Sequence, residues 1–173
     1  ARTTLVFTNT RSQAELWHQA LESIWPGEPH ELALHHGSLD RALRSQVEEN
    51  LRLGRVRCVV ATSSLDLGID WGDVDLVVQM GAPKGSSRLL QRIGRANHRL
   101  DEPSRALFVP ANRFEVLECR AAIDALSAMA EKHGLTVMLT NALPNAVEGR
   151  VEHVERDAAH PAALNLAHCL LCG

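Results

Sequence analysis

Tyrosine is missing from this 173-residue chain, and phenylalanine and tryptophan supply only three residues each. Stacking of bases on a row of exposed rings is therefore not an evident binding mode. There is no low-complexity tract, no internal repeat and no apolar run of membrane-spanning length. The first residues do not form a signal-peptide pattern, so a cytoplasmic location without membrane partners is the expectation. The four cysteines do not resemble a secreted disulfide framework. Cys58 lies in an apolar strand-like run and Cys119 in a helix-like one, where buried, unreactive thiols are common. Cys169 and Cys172 form a lone C-x-x-C pair beside His153, His160 and His168. Two Cys and two His could bind zinc. The His spacing is not that of a familiar finger, however, and an irregular or helical tail with no metal is the expectation.

Acidic residues are absent from one stretch in particular. Lys84–Arg99 carries Lys84, Arg88, Arg92, Arg95 and Arg99 and neither Asp nor Glu. Steps of four, four, three and four residues align these cations on one helix face. Uncompensated neighbours there repel by a few tenths of a kcal/mol per pair. The stripe points either to an anion outside the chain or to a solvated basic face. The net charge of −3 excludes a generally basic nucleic-acid-binding chain. Residues 1–99 hold 12 basic and 11 acidic side chains, whereas residues 100–173 hold 6 and 10. Positive charge is thus concentrated locally, and 16 of the 18 cations are Arg, the side chain suited to bidentate phosphate contact.

The hydrophobic pattern alternates between strands and helices. Apolar runs at Thr4–Thr8, Leu32–His36, Cys58–Thr62, Leu76–Met80 and Ala106–Val109 read as strands. Leu16, Trp17, Ala20, Leu21 and Ile24 outline one helix, closed by Pro26-Gly27. Leu43, Val47 and Leu51 outline a second that ends at Gly54. The basic stretch is a third, and Asn112–Lys132 a fourth, with Glu115 three residues beyond Asn112 in a capping-box arrangement. This order predicts an α/β fold with a mostly parallel sheet and helices on both faces.

In such sheets, functional residues gather where the strands end. Here the strand ends carry Thr8-Asn9-Thr10-Arg11, His36-Gly37-Ser38, Thr62-Ser63-Ser64 and Gly81. Three of the four offer hydroxyls, amides and backbone N–H groups to phosphates, although turns and helix caps use the same residue types. Gly68 permits close backbone approach, and Asp70 places a carboxylate near the edge. Asp66 and Asp70, four apart, are an alternative metal pair lacking further ligands.

Taken together, these segments resemble the second RecA-like domain of superfamily 2 helicases. Leu5–Arg11 resembles motif IV, Ala61–Asp70 motif V, and Gln91-Arg92-Ile93-Gly94-Arg95 motif VI. His35–Leu39, the TSSLDLGID run and the QRIGRANHR run narrow the resemblance to the large helicase-related (Lhr) group. Asn97–Ala125 is similar to its ligase-associated DEXH-box helicases. The resemblance covers about Thr3 to Leu126. It implies a RecA-like domain over 1–134 and a divergent or truncated tail over 135–173.

The resemblance also implies roles. Arg95 would be the catalytic arginine finger, supported by Arg92. Gly68, Asp70, Gln91, Arg92, Arg95 and His98 would face the nucleotide, ATP with Mg²⁺. Thr8, Asn9, Arg11, His36, Gly37, Thr62 and Ser63 would hold the phosphates of a tracking strand, expected to be single-stranded DNA. Lys84 and Arg88 would be phosphate contacts or ordinary surface charges. His98 replaces the last Arg of motif VI and Asn97 its usual Gly. A phosphate loop G-x-x-x-x-G-K-S/T and a D-E-x-H box are absent. Both belong to a first RecA-like domain expected before Ala1, so this chain alone is expected not to hydrolyse ATP. Repair partners such as a ligase or nuclease are implied by the family only. The leading function is the second motor domain of an ATP-dependent DNA helicase. A stand-alone nucleic-acid-binding or regulatory module is the alternative. An unrelated nucleotide-binding α/β domain would need a glycine-rich loop after the first strand, and Thr8–Ser12 contains no Gly.

Overall fold

The computed structural model describes residues 3–66, 74–93 and 105–132. Five strands form one sheet: β1 (Thr4–Phe7), β2 (Leu32–His35), β3 (Cys58–Ala61), β4 (Leu76–Met80) and β5 (Arg105–Val109). Their order is β2-β3-β1-β4-β5 and every pairing is parallel. The central strands β1 and β3 are buried along their whole length, as apolar runs without alternation require.

Four helices flank the sheet: α1 (Arg11–Glu22), α2 (Arg41–Arg52), α3 (Ser86–Ile93) and α4 (Arg113–Lys132). Alternate residues of each strand feed two cores. On one face Val6, Cys58, Val60 and Val78 pack with Ala14 and Leu21 of α1. On the other, Leu5, Phe7, Val59, Ala61 and Val77 pack with Leu51 of α2. The Arg92 guanidinium lies over the Phe7 ring, which places α3 on the α2 side. The chain moves from β1 outward over one face and returns over the other, as right-handed crossovers demand.

Local chemistry sets the helix ends. Thr10 and Asp40 cap α1 and α2 by accepting from the Gln13 and Ala42 backbone N–H groups. Gly54 ends α2 with φ of 66°; its N–H donates to the Leu51 carbonyl, and that of Arg55 donates to the Asn50 carbonyl, a Schellman pair. At α4 the Asn112 side chain accepts from Phe114 and Glu115 as expected, but Glu115 reaches back to the Ala111 N–H rather than to that of Asn112.

Two residues expected to face inward do not. Leu16 is 53% exposed, because α1 packs through Ala14, Trp17 and Leu21, which place Leu16 on the outer side. Leu43 is 52% exposed although it shares a stripe with Val47 and Leu51, which do pack into the core. Both cysteines in the described residues are buried and free, and burial pushes the Cys58 thiol up to about 12. The tail over 135–173, with its Cys and His residues, lies outside the described residues. No described helix is long and apolar enough to cross a membrane.

Candidate nucleic-acid interface

Because every strand is parallel, all the strand exits reach the same edge of the sheet. Hydrogen bonds join neighbouring exits there. The Thr62 N–H donates to the His35 carbonyl and the Thr8 N–H to that of Ala61, each across one strand pair. The Asn9 side-chain amide donates to the Ala82 carbonyl at 2.8 Å, and the Gly81 N–H donates to the Val109 carbonyl at 2.8 Å. Arg11 Nη1 lies 3.3 Å from Ser38 Oγ, bridging the exits of β1 and β2. The edge is thus a continuous hydrogen-bonded shelf.

A small cleft of about 90 Å³ opens in the shelf, lined by Thr8, Asn9, Ser63, Lys84, Arg88 and Arg92. It has room for a phosphate-sized group and lies below the several hundred Å³ of a typical small-molecule pocket. Three of the expected strand contacts, Thr8, Asn9 and Ser63, therefore meet three cations of the basic stretch. Lys84 and Ser63 are exposed, and the Arg88 side chain is 49% exposed.

Arg92 has a different setting. Its side chain is 5% exposed and each of its three guanidinium nitrogens donates a hydrogen bond. Nε donates to Asp66 Oδ1 at 2.7 Å, Nη2 to Asp66 Oδ2 at 2.9 Å and Nη1 to Gln79 Oε1 at 2.7 Å. The Phe7 ring lies 4.2 Å beneath. A bidentate carboxylate, a neutral acceptor and an aromatic face together compensate the burial of one positive charge. The expectation of an anion outside the chain is corrected here: part of the counter-charge is internal. Asp66 supplies it, pairing with Arg92 and approaching Arg88 to 3.8 Å. Asp66 is accordingly an ion-pair partner, and Asp70, the other residue of the alternative metal pair, lies outside the described residues. Among the described residues no group of three or more His, Cys, Asp or Glu is placed to hold a metal.

The expectation that Arg92 and Gln91 share a nucleotide-facing side also needs correction. Gln91 is exposed while Arg92 points into the core, since adjacent helical residues diverge by about 100°. Thr8 is 1% exposed and its hydroxyl donates to the Thr10 carbonyl at 3.0 Å, so in this geometry it shapes the turn instead of offering a proton outward. His36 is 3% exposed with Nε2 at 3.3 Å from Glu15 Oε1, whereas Gly37 beside it is open, with no atom within 4 Å of a Cβ built there. Thr62 is partly exposed and its hydroxyl lies 3.3 Å from Ser64 Oγ. Gly68, Asp70, Arg95 and His98 lie outside the described residues. Gln79 has no role assigned from sequence, Asp66 appears there only as half of the alternative metal pair, and Ser64 only within the polar exit of β3. One signal was present: Gln79 is a lone amide in an otherwise apolar strand.

A model of the helicase conserved C-terminal domain matches residues 1–99. The chain belongs to that family. Within it, the chain is 50% identical over 118 residues to the ATP-dependent helicase Lhr-Core protein 2 of Thermococcus barophilus, covering 68% of this chain and 14% of the relative. It is 47% identical over 92 residues to the Lhr helicase/probable uracil glycosylase of Mycolicibacterium smegmatis, covering 53% and 6%. The fold matches the helicase Lhr of Mycobacterium smegmatis, solved bound to ssDNA and AMP-PNP, with a TM-score of 0.67 and 39% identity over 73% of this chain and 17% of that one. This helicase C-terminal domain is therefore of the Lhr group and RecA-like in fold. It spans about 14% of the length of the Lhr-Core relatives it matches.

Proposed function

We propose that this chain is the second motor domain of an ATP-dependent DNA helicase or translocase, and that its carboxyl-edge shelf holds the phosphates of one DNA strand. The observation that carries this is the cleft in which Lys84 and Arg88 stand beside Asn9 and Ser63. Cations next to hydroxyl and amide groups, without exposed rings, suit a sugar–phosphate backbone and read little sequence. The 39%-identical Lhr helicase was solved bound to ssDNA, which favours a single strand.

In this reading the Arg92–Asp66 pair anchors the turn after β3 to α3, so that Ser63 and Thr62 hold a fixed position over the strand path. ATP with Mg²⁺ occupies a cleft shared with a first RecA-like domain, and this chain alone does not hydrolyse it. Arg95 supplies the finger; a delocalised guanidinium beside a transferring phosphoryl group is worth about 10³–10⁵ in rate. In the whole protein, Arg95→Ala then abolishes hydrolysis while strand binding persists. The helicase/uracil glycosylase relative supports a place in DNA repair.

The interface is tested by titrating a fluorescent dT oligonucleotide at several salt concentrations. Each phosphate contact on a single strand contributes about 0.7 to the slope of log affinity against log salt. The double variant Lys84→Ala/Arg88→Ala is expected to lower that slope by about 1 to 1.5. An unchanged slope would show that these cations do not touch the strand.

A further inference from the structure

The shelf contains a second polar chain, of which the strand-binding reading uses only Thr62. Glu48 Oε1 of α2 lies 3.0 Å from His35 Nε2, and His35 Nδ1 lies 2.9 Å from Ser64 Oγ. Ser64 Oγ lies in turn 3.3 Å from Thr62 Oγ1. The imidazole is fully enclosed, whereas Thr62 is partly exposed where the chain leaves β3. A Ser–His–carboxylate series activates a nucleophile in hydrolases. Here the enclosed imidazole leaves no place for a substrate, and the series ends on another hydroxyl.

Which groups can donate limits the directions open to these hydrogen bonds. A carboxylate only accepts, so in a neutral imidazole the single proton sits on Nε2, facing Glu48. Nδ1 is then an acceptor and takes the Ser64 proton. The Ser64 oxygen accepts from Thr62, and Thr62 is left with lone pairs facing outward. An imidazolium carries N–H on both nitrogens. Its Nδ1 donates to Ser64, which frees the Ser64 proton for Thr62 Oγ1 at 3.3 Å or for the His35 carbonyl at 3.5 Å; in the first and shorter arrangement the Thr62 proton is released to the outside. One proton enters from water and no covalent bond between heavy atoms changes.

We propose that His35 is a positioning residue for strand binding: through Ser64 it decides whether Thr62 offers a proton or a lone pair to a phosphate. This rests on the reading that the shelf holds phosphates. A phosphate oxygen can only accept from a hydroxyl at this pH, so strand binding draws a proton onto His35, and acid tightens binding in return. Among the described residues, α2 presents the Glu48 carboxylate to His35, and the turn after β3 presents the Ser64 and Thr62 hydroxyls. Glu15 of α1 faces His36 instead, and both oxygens of Asp66 are taken by Arg92.

The test measures dT oligonucleotide affinity of the purified chain between pH 8 and pH 6, the interval in which imidazoles ordinarily titrate. One hydrogen bond to a charged group is worth about tenfold in affinity. Wild type is expected to gain about that much more on acidification than Ser64→Ala, in which the relay is cut. A second measurement needs no variant: imidazole ¹⁵N shifts at constant pH should show His35 moving towards the protonated form as the oligonucleotide saturates. Cation-dependent binding with an unmoved His35 signal, or an equal pH response in Ser64→Ala, would overturn the relay and leave the strand reading intact. Binding insensitive to both Arg88→Ala and Thr62→Val would overturn the strand reading and the relay with it.

Discussion

Replacing Arg92 by Met keeps most of the side-chain volume and removes the charge. The perturbation isolates the buried network, because the Asp66 carboxylate, with a side chain 7% exposed, is left with only the half-exposed Arg88 at 3.8 Å as a counter-charge. Three charge-assisted bonds of 2.7, 2.9 and 2.7 Å are lost, along with a cation held 4.2 Å above Phe7. Removing one partner of a buried pair costs about 3–5 kcal/mol, mostly as the desolvated charge of the survivor. For a chain of this length that corresponds to a fall in Tm of roughly 6–20 °C. Replacing both partners, Arg92→Met with Asp66→Leu, removes the stranded charge and should recover most of the loss. Arg92→Lys keeps a charge but cannot make a forked contact and reach Gln79 together, so it should fall between wild type and Arg92→Met. Urea unfolding of the four corners of the Arg92/Asp66 cycle measures the coupling directly. A cost under about 1 kcal/mol for Arg92→Met, the level of an exposed pair, would refute the assignment of Arg92 as a structural anchor. Additive single variants would do the same.

Two further outcomes follow from local features. Gly81 has φ of 76°, and a Cβ there would stand 3.1 Å from Asn9 Nδ2, the atom that bonds the Ala82 carbonyl. Gly81→Ala should therefore destabilise by about 1 kcal/mol or more from the backbone alone and, because Asn9 must shift, also weaken oligonucleotide binding; denaturant titration and binding at fixed salt check the two effects. Burial of His18 lowers its pKa, the nearby Glu22 carboxylate and the Leu32 backbone only partly opposing this. A folded-state value below 6.5 means the unfolded chain binds more protons in that interval, so the contribution is complete above pH 6.5 and declines as pH falls through the lowered value. His18→Gln should melt less steeply with acidification than wild type between pH 7.5 and pH 5; parallel melting curves across that range would contradict this.

Much of the fold was legible because its signals are local. Strand runs such as Cys58–Ala61 and the stop at Gly54 each act within a few residues, and both occur as expected. Leu16 and Leu43 face solvent because periodicity outlines a helix face but not which of its residues meet the sheet. The polar strand exits lie together at one edge, since parallel strands must end together. The duties within that group were not readable. Thr8 and Ser63 look alike in sequence, yet one is enclosed with its hydroxyl directed to a carbonyl while the other faces solvent.

The sharpest division concerns the basic stretch. The sequence by itself determined that Arg88 and Arg92 recur on a helix, because a helix places every third or fourth residue together whatever surrounds it; Lys84 stands two residues before α3, where Gly85 has φ of 104°. Only the tertiary structure decided that Lys84 and Arg88 line an open cleft while Arg92 is buried. That outcome depends on β4 lying beside β1 and β1 beside β3, which brings Gln79, Phe7 and Asp66 under α3 from positions 13 to 26 residues distant for the two hydrogen-bonded partners. A charge takes its meaning from its nearest counter-charge, and strand order, which no local pattern encodes, chose which one Arg92 would meet.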